Sequence, residues 1–187
     1  EAVLTMANVL LVNPRITPRH KARFPLSLLA LAAALSGRHT VRIVDGNKST
    51  DDGVQATVTA LAQQRFDLVG ISVMGGPQVR TAIDVSRAAR AAAPGTPIAW
   101  GGYFPTLYPQ AAINAPYVDH LVRGQGEGPL AAMLARLESG ATAFDGIAGV
   151  SWKRDGETFH NPDAAFAPVL PGPLPYELLG DPRRYLL

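Results

Sequence analysis

No cysteine occurs anywhere in the 187 residues. That excludes, within this chain, a disulfide framework, a thiolate-bound metal or iron–sulfur site and a cysteine nucleophile. It also agrees with a reducing, cytoplasmic setting. Charge is scarce: charged residues make up 17% of the sequence and the formal net charge is +2. No basic stripe with interleaved aromatics is visible, so a nucleic-acid partner is not expected. Long apolar runs are missing too. The longest, Leu26 to Leu35, is alanine-rich and too short to cross a bilayer, so no membrane span is expected. Glu1 to Thr5, ahead of Met6, lack the basic and apolar regions of a secretion signal. Neither GxGxxG nor GxxxxGK follows the first apolar strand, which argues against an ordinary dinucleotide or triphosphate site.

Hydrophobic residues, by contrast, reach 47%, enough for one well-filled core. Five short apolar runs recur at roughly thirty-residue intervals, each followed by a helical pattern. The runs are Asn8–Asn13 (NVLLVN), Thr40–Asp45, Asp67–Val73 (DLVGISV), Pro97–Gly101 (PIAWG) and Asp119–Arg123. The helical stretches run from Pro25 to Gly37, from Thr50 or Asp51 onward, from Pro77 to the Ala93-Pro94-Gly95 stop, over Pro105–Ile113, and from Glu127. Proline in the first turn and glycine past the last mark several of these boundaries. Strand–helix alternation with right-handed crossovers predicts an α/β, Rossmann-like (flavodoxin-like) domain. Its doubly wound parallel five-stranded sheet would have the order 2-1-3-4-5.

After Gly140 the pattern changes. Ile147–Lys153 alternates, Asp155-Gly156 is a hairpin turn, and Glu157–His160 returns, predicting a C-terminal β-hairpin extension. Residues 161–175 are rich in proline, alanine and glycine and read as a linker, and Tyr176–Leu187 shows no packing logic of its own. The expected organisation is a Rossmann-like domain over 1–140, a hairpin over 141–160, and a linker over 161–187 toward an absent catalytic domain.

In a doubly wound sheet the ligand crevice lies beyond the carboxyl ends of the strands. Asn13-Pro14-Arg15 follow the first strand there, and Ser72-Val73-Met74-Gly75-Gly76 end the third. Gly101-Gly102-Tyr103-Phe104-Pro105 follow the fourth, and Gly124-Gln125-Gly126-Glu127-Gly128 the fifth. Glycine gathered at three edges indicates that something large approaches the backbone closely. Phosphoryl acceptance would need carboxylates after the first strand and an aspartate ending the third. Asn13 and Ser72 hold those places, so a response-regulator function is excluded.

The ordered set VLLVNP, FPLSLLALAAAL, VRIVD, DLVGISV, PIAWGGYFPTLYP and DHLVRGQGEGPL resembles the N-terminal cobalamin-binding domain of cobalamin-dependent radical S-adenosylmethionine enzymes. The likeness covers about four-fifths of the chain and continues into GVSWKRDGE. It implies a domain that holds cobalamin against a catalytic barrel present in cis, with the nucleotide tail entering the sheet edge and the corrin over the loops. The intact parent would be a methyltransferase or rearranging enzyme that also uses S-adenosylmethionine and a 4Fe-4S cluster. By the same resemblance Asn13, Ser72, Val73, Met74 and Gly75 would line the tail pocket. Gly101 and Gly102 would leave room for the tail, with Tyr103, Phe104 and Pro105 flanking it. Gly124, Gln125, Gly126 and Glu127 would form the far wall, although Gln125 replaces the glutamate usual in the family. The CxxxCxxC cluster motif is absent from these residues, and so is the DxHxxG motif of corrinoid carriers, where the chain reads NPRITPRHK. Cobalamin is therefore expected base-off without a histidine ligand. The alternative is a stand-alone, non-catalytic corrinoid carrier or sensor of the same fold.

Local chemistry offers competing explanations for several of these residues. Gly101-Gly102 suits a tight strand–helix turn, Ser72 can bond nearby backbone, and Glu127 is favoured at any helix start. His20 falls in a basic loop with Arg15, Arg19, Lys21 and Arg23, which reads as solvated. His39, His120 and His160 lack metal-ligand spacing, and Trp100 and Trp152 read as core residues.

Overall fold

Strand β1 (Asn8–Asn13) is nearly all apolar because it is central, flanked by parallel neighbours on both sides. Helix α1 (Leu26–Leu35) follows, then β2 (Thr40–Asp45), α2 (Val54–Gln63), β3 (Leu68–Ser72) and α3 (Pro77–Ala92). Next come β4 (Ile98–Gly101), α4 (Tyr103–Leu107), α5 (Pro109–Ile113), β5 (His120–Val122) and α6 (Glu127–Glu138), then β6 (Val150–Arg154) and β7 (Glu157–His160). This computed structural model describes residues 6–167 and 172–185. The sheet runs β2-β1-β3-β4-β5-β6-β7, parallel through β5 and antiparallel beyond it, so the expected 2-1-3-4-5 order is observed.

Alternation along the central strands divides the core in two. Leu10, Val12, Val69, Ile71, Ile98 and Trp100 point to one face, covered by α2 and α3. Val9, Leu11, Leu68, Ala99 and Val122 point to the other, where α1 and α6 pack side by side. Each fully buried Leu, Ile or Val side chain contributes roughly 1.5–3 kcal/mol, so these clusters carry most of the fold's stability. Trp100 closes the first face. Its Nε1 donates to Ser86 Oγ at 2.9 Å, which satisfies the indole in a fully buried setting.

Three local outcomes differ from the pattern-based expectation. The helix foreseen over Pro105–Ile113 is two short helices, α4 and α5. Pro109 drives the residue before it out of the helical region, and Tyr108 sits at φ −128°, ψ 56°. The hairpin does not stand apart: β6 pairs with β5, Trp152 opposite His120, so among the described residues the sheet has seven strands. Its turn residues Asp155 and Gly156 both take positive φ, 54° and 82°, as a tight two-residue hairpin turn requires.

The third difference is the tail. Part of the expected linker lies outside the described residues, but 172–185 returns to the domain as a strap. Tyr176–Leu179 and Pro182–Tyr185 form 3-10 turns. The Tyr185 ring stacks on Phe24 at 4.7 Å and the Tyr176 ring meets Phe24 edge-on at 5.1 Å. A tail read as lacking packing logic therefore has aromatic anchors, whose partner lies at the other end of the sequence.

Candidate functional site

Along β3 and β4 large and small residues alternate. Val69, Ile71, Ile98 and Trp100 fill the α2/α3 face, which leaves Gly70, Ser72, Ala99 and Gly101 toward α1 and α6. Where those side chains are missing or small, a cavity of about 240 Å³ opens between sheet and helices. Leu11, Leu28, Leu31, Val122 and Leu130 give it apolar walls, and Ser27, Ser72, Gln125 and Glu127 supply polar groups. An apolar slot with few polar groups suits the burial of a flat organic group. A Cβ at Gly70 would stand 2.9 Å from Leu11 Cδ2, so any larger residue there would push the Leu11 side chain aside.

Seven expected site residues line this cavity: Ser72, Gly101, Gly102, Gly124, Gln125, Gly126 and Glu127. Gly102 is explained by the backbone as well. It sits at φ +98°, and a Cβ would come 3.0 Å from the Val73 carbonyl oxygen. Gly101 has ordinary space instead, its nearest neighbour for a Cβ being the Val122 carbonyl oxygen at 3.5 Å.

Asn13, Val73, Met74, Gly75, Tyr103 and Phe104 do not line it. Val73 is buried in the opposite core, and its backbone carbonyl accepts from Phe104 N at 2.9 Å. Phe104 is half-buried against Trp100, at 6.4 Å between rings. Asn13 is engaged by Asp45 and Gln78. Sequence reasoning missed Gly70, Ala99, Ser27 and Leu31. The signal for Gly70 and Ala99 was present in the small–large alternation of GIS and AWG.

Around the carboxyl edge of the sheet, large apolar side chains stand in solvent: Ile16 after β1, Leu26 at the start of α1, Met74 after β3, and Tyr103 and Leu107 after β4. Met74 is 52% exposed and Tyr103 59%. Their gathering at one edge marks a surface built to be covered. His20 does not belong to the cavity. It lies in the 3-10 turn Arg19–Lys21, in a separate groove with Lys21, Arg23, Phe24 and Tyr185.

The remaining histidines are engaged elsewhere. His39 Nδ1 lies 3.3 Å from Glu138 Oε1. His160 bridges Ser151 Oγ at 2.9 Å and Gln110 Oε1 at 3.2 Å, and burial, then Arg123, lowers its pKa. His120 packs edge-on against Phe144, and burial lowers its pKa to about 4, so it is neutral at physiological pH. Glu127 opens α6, where a carboxylate is favoured by the helix dipole. Among the described residues no helix is long and apolar enough to cross a membrane.

The family model of the B12 binding domain matches residues 21–134, over half of the chain, from α1 into α6 with the parallel strands β2 to β5. The chain belongs to the B12-binding domain family. This B12-binding domain is 27% identical over 180 residues to cytidylyl-2-hydroxyethylphosphonate methyltransferase of Streptomyces wedmorensis, covering 83% of this chain and 33% of that protein. Its fold matches that of the radical S-adenosylmethionine methyltransferase TsrM from Kitasatospora setae, a structure with cobalamin and a 4Fe-4S cluster bound. There the TM-score is 0.74 at 24% identity, over 96% of this chain and 33% of that one. It also matches the cobalamin-dependent S-adenosylmethionine radical enzyme OxsB with aqua-cobalamin bound, TM-score 0.73 at 21% identity, over 87% of this chain and 23% of that one. The chain thus spans about a third or less of the relatives it matches.

Proposed function

We propose that this domain holds cobalamin for a radical S-adenosylmethionine methyltransferase whose barrel and 4Fe-4S cluster lie in cis outside these residues. An organisation of binding domain over 1–140, hairpin over 141–160 and linker over 161–187 belongs to this reading, as does a cytoplasmic location, where reduced clusters persist. The observation that carries it is the cavity under α1 and α6. Its volume of about 240 Å³ is far too small for a corrin but suits a flat arm of one. The nucleotide arm of cobalamin would enter between Gly70, Gly101 and Leu31. Ser72, Gln125 and Glu127 would meet its polar groups, and the apolar rim of Ile16, Leu26, Met74 and Tyr103 would face the corrin.

Bound cobalamin would supply a transferable methyl group. This chain's residues bind and orient it and keep water from its buried arm. They bring no imidazole to the cavity: His20, the only histidine of the β1 loop, lies in the separate strap-side groove. The arm would therefore leave cobalt with no protein nitrogen in exchange.

Hydroxocobalamin should coelute with the protein in gel filtration. Gly101→Val, which fills the slot without a positive-φ penalty, should weaken binding by roughly 100-fold or more, a loss of at least about 2.7 kcal/mol. A folded Gly101→Val protein that binds as well as wild type removes the cavity from the site. Electron paramagnetic resonance of the cob(II)alamin complex should show no nitrogen splitting. Splitting that disappears in His20→Ala would make His20 the ligand.

A further inference from the structure

A continuous run of side-chain hydrogen bonds joins the strap to the loops at the carboxyl edge. Tyr185 Oη donates to Asp45 Oδ2 at 2.6 Å. Asp45 Oδ1 accepts from Asn13 Nδ2 at 2.8 Å and from Asn47 N at 3.1 Å. Asn13 Oδ1 accepts from Gln78 Nε2 at 3.1 Å, which also donates to the Pro14 carbonyl at 2.6 Å. Gln78 Oε1 in turn accepts from Met74 N at 2.7 Å. The run thus begins on the strap, crosses the carboxyl ends of β2 and β1, and ends two residues beyond Ser72 of the cavity.

Its direction is fixed at every link. Turning the Asn13 amide over would set oxygen against the Asp45 carboxylate. Turning Gln78 over would set its NH₂ against Met74 N–H and its oxygen against the Pro14 carbonyl. Gln78 is completely buried, so any unmade bond there carries its full desolvation cost. The loops after β1 and β3 consequently cannot shift without disturbing Asp45, and Asp45 cannot turn without releasing Tyr185. Burial, followed by the bond to Asp45, raises the Tyr185 hydroxyl pKa far above its ordinary value, so the hydroxyl stays a donor.

A second route runs through packing. The Tyr185 ring stacks on Phe24 and lies 4.8 Å beneath Lys48 Nζ. Phe24 leads directly into α1, whose Ser27, Leu28 and Leu31 wall the cavity. Asp45, Gln78 and Tyr185 themselves line none of it.

We propose that the 172–185 strap is a coupling element: Tyr185 docked on Asp45 holds the loops after β1 and β3 in the arrangement that receives cobalamin. Docking of the strap and binding of the cofactor then strengthen one another. This rests on the cobalamin-holding reading above, and it assigns Asp45, Gln78 and Tyr185 as positioning residues. Reciprocity is required, because a coupling free energy between two sites acts equally in both directions.

Tyr185→Phe is the decisive variant, since it removes the hydroxyl and keeps the ring on Phe24. Hydroxocobalamin affinity should fall by roughly five- to tenfold, at the low end of ordinary coupling strengths. In wild type, hydroxocobalamin should slow amide hydrogen exchange over residues 176–185 by a similar factor, and in Tyr185→Phe it should not. Asp45→Asn should weaken binding comparably, and the double variant little further, because both act on one chain of bonds. A folded Tyr185→Phe protein with unchanged affinity, or strap exchange indifferent to cobalamin in a wild type that binds it, overturns the coupling and leaves the cofactor reading standing. A folded wild type that binds no cobalamin overturns both.

Discussion

Toward α2 and α3, strands β3 and β4 present Val69, Ile71, Ile98 and Trp100, all buried, with the indole of Trp100 bonded to Ser86. Toward α1 and α6 the same strands present Gly70, Ser72, Ala99 and Gly101, and a cavity of about 240 Å³ remains. Propensity does not separate the two faces, since they share one backbone. Side-chain volume does. One face is filled by large buried side chains, and the other is left open over an area bounded by leucines. A sheet can thus stabilise the fold and leave a cavity within the same few residues, provided the two fall on opposite sides of the pleat.

The sharpest way to break the comparison is Trp100→Ala. It opens a void on the filled face and should cost roughly 3–5 kcal/mol in chemical denaturation. Cobalamin affinity per folded molecule should stay near wild type. A large affinity loss without destabilisation would show that the faces are not independent.

Next in size is a pH effect at the amino end of the cavity face. Burial holds His120 neutral, against the weaker upward pull of Asp119 and with Arg90 adding to the depression, so its pKa falls from 6.5 to about 4. The unfolded chain binds this proton before the folded one does. Stability from His120 is complete above pH 6.5, declines as pH falls from 6.5 toward 4, and is flat below. The full loss is about 3 kcal/mol, at 1.36 kcal/mol per pKa unit. Denaturation midpoints at pH 7.5, 5.5 and 4 should show the decline, and His120→Gln should flatten it. An unchanged slope in that variant would assign the effect to another group.

The smallest contrast is between adjacent glycines. Gly102→Ala meets the Val73 backbone at a positive φ and should cost roughly 1–3 kcal/mol. Gly101→Ala, with ordinary space around its Cβ, should change the thermal midpoint little. Equal destabilisation by both would mean that the turn, and not the cavity, explains Gly101.

Much of this was legible in the residues. Strand–helix alternation gave the parallel order, and glycine at the ends of the third, fourth and fifth runs pointed to the carboxyl edge, where the cavity opens. The resemblance named seven cavity residues, from Ser72 to Glu127. It also placed Val73 and Phe104 in the site. Val73, one step past Ser72, turns to the opposite core, and Phe104, in the first turn of α4, packs half-buried against that same core. Asn13 was singled out from its strand end, and its side chain proves committed to Asp45 and Gln78.

Local signals were enough for the elements, their order and the glycine-rich edge, because periodicity, capping residues and glycine act over a few neighbours. The cavity, the joining of the hairpin to β5 and the docking of the strap arise only in the folded chain. Each of those depends on which side chains meet across long separations. Tyr185 and Asp45 stand 140 residues apart, and no local pattern in either segment encodes the other. A missing side chain likewise becomes a cavity only when the neighbours that would have touched it are held in place by the rest of the fold.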